Sequence, residues 1–309
     1  MSLEMTSLYT AIVNAKNLRF VKRQKLAAKV EKMIIDGGGN LAPIDYAVAF
    51  QESEYEIETP DLANLFGGGG TQINLSLMSG LSCTSGATLQ YQSRLDGGFA
   101  GNGNHFTFAS PLGFLLLQAI EATQDENKPV MAQCLYYLLE KVVSGTPTYI
   151  TPATGQNLTS SPLLDVKYAL GPVYINGVEY SENTKSRFET GAQYKPTRAG
   201  GQVVARAGAI KKTMPKFAFD FKNVTMLSTF GVGLSEAPGT VAMYLQKIDA
   251  DGDRVATTTA EHIKISATTS KVETSELDGG DGDDDAVCKA EFHVKSGATV
   301  AISLASQIP

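Results

Sequence analysis

Val173-Tyr-Ile-Asn-Gly-Val-Glu-Tyr180 decides the fold class of this chain. Asn176-Gly177 supplies the positive φ angles that a two-residue hairpin turn needs, and such turns twist in the sense of the strands they join. The flanking Val173-Tyr-Ile175 and Val178-Glu-Tyr180 are rich in β-branched and aromatic residues, so the spacing predicts a hairpin. Further along, Lys216-Phe-Ala-Phe-Asp-Phe221 alternates strictly, which puts three phenylalanines on one face of a strand. Residues 241 to 248 and 254 to 265 flank Asp249-Ala-Asp-Gly-Asp253 as a second expected hairpin. Two more strands are expected around the acidic stretch 277 to 285. Between the hairpin and the phenylalanine strand lies a loop with Gly200-Gly201 and the cations Arg198, Arg206, Lys211 and Lys212. The second half therefore reads as nearly all β.

The first half is less uniform. Tyr46-Ala-Val-Ala-Phe50, Tyr55-Glu-Ile57 and Ile73-Asn-Leu-Ser-Leu77 alternate as strands do, with a loop at Gly67 to Gly70. Within residues 8 to 35, Leu26, Val30, Met33 and Ile34 fall at helical spacing before Asp36-Gly-Gly-Gly39. This predicts a short amphipathic helix or arm whose basic side is a solvated face. In residues 111 to 143, Val130, Cys134, Leu138 and Val142 fit a helix opened by Pro129, whereas a strand fits residues 132 to 139 equally well. Periodicity alone does not choose between them.

An internal echo organises the two halves. In the first half the order is Tyr55-Glu-Ile57, Leu89 to Leu95 running into Asp96-Gly-Gly98, His105-Phe-Thr-Phe108, and Ala132-Gln-Cys134. In the second half it is Phe217-Ala-Phe-Asp220, Met243 to Ile248 running into Asp249 to Asp253, His262-Ile-Lys-Ile265, and Ala286-Val-Cys288. Residues 144 to 162, rich in Ser, Thr, Pro and Gly and poor in apolar residues, separate the copies. The expectation is a mainly β chain of two tandem β-sandwich or barrel domains with short flanking helices. They would comprise residues 1–150, a β-rich domain with a helical arm, and 165–309.

Composition agrees with that class and narrows function. A chain of 309 residues that is 43% hydrophobic holds one large core or two ordinary ones, and 30 glycines with no tryptophan favour short strands and tight turns. The formal charge of −6 argues against a tight grip on nucleic acid, which needs clustered Lys and Arg to neutralise phosphates. Cys83, Cys134 and Cys288 are odd in number and form no CxxC, so buried free thiols are expected rather than disulfides or zinc. Lys16, Arg19, Lys22, Arg23 and Lys25 precede any long apolar run, unlike a secretory signal. The longest apolar stretch, residues 112 to 120, is about half of what crosses a bilayer as a helix, so no membrane segment is expected.

Motifs for chemistry are thin. Asp249, Asp251 and Asp253 have the spacing of calcium ligands. However, the loop glycine is misplaced at Gly252, and Ala260 stands where a bidentate Glu is needed, so a solvated turn is favoured. The acids of residues 278 to 285 read as a loop tip that protects a sheet edge. Gly67-Gly-Gly-Gly-Thr-Gln72 lacks the Gly-Lys-Ser/Thr ending of a phosphate loop, and Gly98-Phe-Ala-Gly-Asn-Gly103 lacks the third glycine of a dinucleotide fingerprint. His105, His262 and His293 stand alone in strand-like context, and Gly80-Leu-Ser-Cys83 is not a nucleophile elbow. No catalytic, cofactor-binding or metal-binding residue is assigned, and no enzyme activity is expected.

The second half, over about residues 165 to 309, resembles the major tail tube proteins of long-tailed bacteriophages. The resemblance lies in Val173-Tyr-Ile-Asn-Gly-Val-Glu-Tyr180, Ala209-Ile-Lys-Lys-Thr-Met-Pro-Lys-Phe217, and Glu261-His-Ile-Lys-Ile-Ser-Ala267 followed by an acidic turn and a closing strand. It implies a β-sandwich or barrel with a flanking helix, in a protein that forms rings stacked into a hollow tube for DNA ejection. Its partners would be further copies of itself, other tail proteins, and DNA in transit without specific binding. The implied location is the virion tail, assembled in the host cytoplasm. Family members mostly carry one domain and six copies per ring, so a doubled chain implies three copies with six quasi-equivalent positions. The loop of residues 195 to 212 and the N-terminal arm are the first candidates for ring contacts. Alternatives are a tail terminator or baseplate ring that does not stack, or a two-domain calcium- or carbohydrate-binding β-sandwich module.

Overall fold

The computed structural model describes residues 4–8, 10–35, 45–95, 98–99, 101, 103–124, 128–158, 166–180, 182–222, 229–236, 239–278 and 287–309. Strands make up 64% of the chain and helix 3%, so the fold is mainly β, with β-sandwich character. The Asn176-Gly177 hairpin is present. Asn176 has φ 54° and Gly177 φ 79°, and Val173 pairs with Tyr180 and Ile175 with Val178. In Lys216–Phe221 the three phenylalanines are buried and the residues between them are half-buried.

A 14-stranded antiparallel sheet forms the spine. Its order runs Val178–Tyr180, Lys167–Ile175, Thr240–Ile248, His262–Asp278, Val287–Val294, Lys216–Phe221, Asn183–Glu189, Leu112–Thr123, Met131–Leu139, Asp45–Thr59 and Arg23–Ile35. A 7-stranded sheet, centred on Ala87–Leu95 and His105–Ser110, forms a second layer and takes in Thr151–Gln156 from the stretch expected to separate the two halves. Tyr55 of the large sheet donates its hydroxyl to the Phe108 carbonyl of the small one, 3.2 Å away. Buried side chains of both sheets, from Ala11 to Phe292, form one contiguous core.

The strand pairing of the first half is repeated in the second. Glu4–Leu8 pairs with Ala87–Leu95, which pairs with His105–Ser110. After Pro111 the chain continues as Leu112–Thr123, which pairs with Met131–Leu139, then Asp45–Thr59, then Arg23–Ile35. Likewise Lys167–Ile175 pairs with Thr240–Ile248, then His262–Asp278, Val287–Val294, Lys216–Phe221 and Asn183–Glu189. Even the short additions match. Leu81–Cys83 flanks Leu112–Thr123 as Gly233–Glu236 flanks His262–Asp278. Thr151–Gln156 flanks His105–Ser110 as Ala301–Ser306 flanks His262–Asp278. The end of Leu112–Thr123 pairs with Asn183–Glu189, so one sheet runs through residues of both halves.

Several expectations are corrected. The described residues between 8 and 35 hold no helix. Ala11–Val13, Lys16–Leu18 and Arg23–Ile35 are strands, and the last pairs with Asp45–Thr59 along its whole length. The helical spacing there was coincidental, because Val30, Met33 and Ile34 remain exposed while Lys25 and Lys29 face glutamates of the neighbouring strand. The ambiguous residues 111 to 143 form the strands Leu112–Thr123 and Met131–Leu139, which pair with each other and with a further strand on either side. Leu62–Phe66 is an α-helix. Residues 73 to 77 bury Ile73, Leu75 and Leu77 without joining a ladder, held instead by Ile73 N–H to Asn64 O and Leu75 N–H to Leu65 O. The second hairpin is looser than expected. Ile248 and Arg254 form a lone bridge, and the return strand begins only at His262. The acidic residues 279 to 285, and Asp96-Gly97, lie outside the described residues.

Candidate functional site

Several of the sequence motifs have a local structural use. Asp249 Oδ1 accepts the backbone N–H groups of Asp251 (3.0 Å) and Asp253 (2.9 Å), so its lone pairs shape the turn. Gln72 Oε1 accepts the Gly69 N–H at 2.6 Å, closing the glycine loop on itself. All three cysteines are free and buried. Burial pushes the Cys83 and Cys134 thiols up to about 12, which removes the thiolate a nucleophile needs.

The three histidines are not brought together, yet two of them are used alike. His105 and His262 are both buried at the start of a return strand. Each accepts, at Nδ1 and 3.1 Å, the backbone N–H of a residue near the end of the preceding strand, Ser93 and Lys247 respectively. In His262 the other nitrogen, Nε2, lies 2.9 Å from the Ala256 carbonyl and donates to it. This bonding fixes the neutral tautomer. His293 instead sits on the open face, 3.6 Å from Glu273. Glu273, Glu291 and His293 could converge on a cation, but the Lys216 ammonium, 2.7 Å from Glu291, already supplies the positive charge.

A polar cleft of about 620 Å³ opens beside Lys16, Arg19, Asp61 and Asn64. Burial raises the Asp61 carboxyl above the usual range, opposed by the Arg19 N–H at 3.1 Å. Lys16 Nζ donates to the Gln72 carbonyl and Asn64 Nδ2 to that of Asn17, so the cleft's polar groups tie the strand Lys16–Leu18 to the helix Leu62–Phe66 and the loop after it. Among the described residues lining it there is no histidine or cysteine to act as base or nucleophile.

What sequence reasoning missed is a charged belt across the outer face of the large sheet. Arg23 bridges Glu56 and Glu58, Lys25 bridges Glu56, and Lys29 bridges Glu54. Across four neighbouring strands Glu121 holds Arg187 and Lys185, Arg187 holds Glu189, and Lys216 holds Glu189 and Glu291. Burial alone would raise the Glu121 carboxyl, but Arg187 and Lys185 outweigh it and hold the group below its ordinary value. The signal was alternation: Lys185, Arg187 and Glu189 occupy every second position of one strand. The residue 195 to 212 loop is engaged within the chain. It forms the strands Gln193–Thr197 and Ala207–Lys212. The Arg198 guanidinium lies 3.5 Å over the Phe50 ring, and Val203 accepts the Gln51 N–H. No helix among the described residues is long and apolar enough to cross a membrane. Comparison of the chain with models of known protein families finds no match, and neither does comparison with curated proteins.

Proposed function

We propose that this chain is a structural protein that self-assembles into rings stacked as a hollow tube, in the manner of the phage tail tubes its second half resembles. The observation that carries this reading is the repeated strand pairing, which presents two like units joined edge to edge in one polypeptide. Three such chains would supply six quasi-equivalent positions around a ring, since protein rings are built by repeating one heterologous contact until it closes. The charged belt fits a conduit. Its cations each lie within 4.0 Å of a carboxylate, and the net charge is −6. Such a surface repels the phosphate backbone and lets DNA slide, where a basic lumen would arrest it. In this role the other partners are tail proteins at the tube ends, and the protein resides in the virion tail after assembly in the host cytoplasm.

The test is negative-stain electron microscopy of the purified protein over a range of concentration and salt. Hollow tubes of uniform diameter, with three- or six-fold end-on views, are expected. Rings that never stack would replace the tube with a terminator or baseplate ring. A persistent monomer in light scattering would overturn self-assembly altogether.

A further inference from the structure

A hairpin-on-sheet contact made once inside the chain has a bare counterpart for each of its two sides. In the second half, the ribbon of Asn183–Glu189 and Lys216–Phe221 continues outward as the hairpin Gln193–Thr197 and Ala207–Lys212, with the Met214 N–H bonded to the Thr190 carbonyl between them. Gly191 sits at the bend with φ 54°, and a Cβ there would lie 2.5 Å from the Met214 carbonyl oxygen. The hairpin folds over first-half strands. Tyr194 stacks on Phe114 and Tyr137, with ring centroids 4.6 and 4.8 Å away, and Leu116 and Ala192 are buried with it.

In the first half the corresponding ribbon is Arg23–Ile35 with Asp45–Thr59. Gln24 pairs with Ile57 as Asn183 pairs with Phe221, and further out Ile34 pairs with Tyr46 as Tyr194 pairs with Ile210. Met131–Leu139 accompanies this ribbon only as far as Glu54. Past that point its apolar side chains are bare: Val30 is 44% exposed, Met33 55%, Ile34 56% and Val48 48%. Val30 and Ile34 continue the alternating face on which Leu26 packs against the core. A two-stranded ribbon standing alone is marginally stable in water, so an apolar stripe on one calls for a cover. The seat beside it in its own chain is taken by the hairpin 193–212, whose Val203 accepts the Gln51 N–H and whose Arg198 lies over Phe50.

The second-half counterpart of the Tyr194 seat is equally bare. Cys134 pairs with Ile57 as Cys288 pairs with Phe221. The row Ser82, Phe114, Tyr137 therefore corresponds to the row Leu234, Glu273, Glu291. Leu234 is 67% exposed and the adjacent Val232 83%.

We propose that the arm of residues 28–35 and 45–51 lies across the Leu234, Glu273 and Glu291 face of a second copy, as the hairpin 193–212 lies across Phe114 and Tyr137 within one chain. This rests on the ring reading and names a contact between neighbouring copies. The two surfaces match in chemistry. Val30, Ile34 and Val48 meet Val232 and Leu234, and the seat is acidic at Glu273 and Glu291 where the arm carries Lys32 beside Val48. Arm and seat are different surfaces, so the contact propagates head to tail and closes as a ring.

Cross-linking in the full chain tests it. Ile34→Cys is combined with Leu234→Cys or with Glu273→Cys, and the assembled protein is treated with a short bis-maleimide. The native cysteines are buried and do not compete. Each double variant should give a ladder of covalent oligomers, and a mixture of Ile34→Cys chains with Leu234→Cys chains should give covalent dimers and stop there. In a second measurement, Ile34→Asp should raise the concentration needed for assembly about tenfold, because docking would bury its charge against apolar side chains. The same substitution should leave the melting temperature of the unassembled chain unchanged, since the position is exposed there. A link confined to one chain, or a dimer from Ile34→Cys alone, would overturn the proposal by placing the arm on its own molecule or on another arm. Rings that give no ladder and tolerate Ile34→Asp would overturn this contact and leave the ring reading intact. A wild-type chain that stays monomeric would overturn both.

Discussion

His105 and His262 do the same work in two places, each ending a strand connection by accepting a backbone N–H that the ladder leaves unpaired. Leaving such a buried donor without a partner costs about 1–3 kcal/mol, which is reason enough for a histidine with no reaction to perform. Glu121 shows the electrostatic counterpart. Its carboxyl is held below its ordinary value because Arg187 and Lys185 outweigh burial. A depressed carboxylate contributes stability that is present above the unfolded-state value near 4.3 and is lost as pH falls through the folded-state value. Glu121→Gln should therefore destabilise the protein by about 1 kcal/mol at neutral pH, the scale of a partly exposed charged hydrogen bond. The gap from wild type should narrow as pH drops below about 4. Urea titrations at pH 7 and near pH 3 check this, and an unchanged gap in acid would count against the ion pair.

At the scale of elements, the two halves turn the same corner with different devices. In the first half Pro111, which has no N–H to give a ladder, divides His105–Ser110 from Leu112–Thr123. In the second half His262–Asp278 runs through the corner unbroken, with a register shift between Thr269 and Lys271. Bulges and bends are the usual means by which a strand passes from one packed layer to another. Gly86 serves the first corner. Its φ is +72°, and a Cβ there would lie 1.8 Å from the Ser110 carbonyl oxygen. Gly86→Ala should cost about 3 kcal/mol, summing left-handed strain and overpacking. Gly200→Ala, where a Cβ meets nothing within 4 Å, should stay within about 0.5 kcal/mol of wild type. Thermal melts of the two variants make the comparison.

For the whole molecule, the core runs from Ala11 to Phe292 and the large sheet crosses from the first half into the second. Unfolding should be a single cooperative transition in calorimetry, because neither half can open without exposing the shared sheet. Two resolved endotherms would mean that the halves are stabilised separately. The β class was legible in the chain itself. The turn at Asn176-Gly177 needs positive φ, and the alternation of Lys216–Phe221 needs one buried face, and both are conditions on neighbouring residues. The structural use of the aspartate turn and the burial of the cysteines were legible for the same reason. Residues 8 to 35 and 111 to 143 were not, because apolar spacing there fits helix and strand alike and only long-range pairing partners choose between them. The charged belt and the joint between the halves lay further out of reach, since they unite residues as distant as Glu121 and Arg187, or Lys216 and Glu291. Short-range order thus determined that this chain is built of strands. Which strands became neighbours, and so which edges were left open, was decided by burial of one common core, a property no local window of sequence contains.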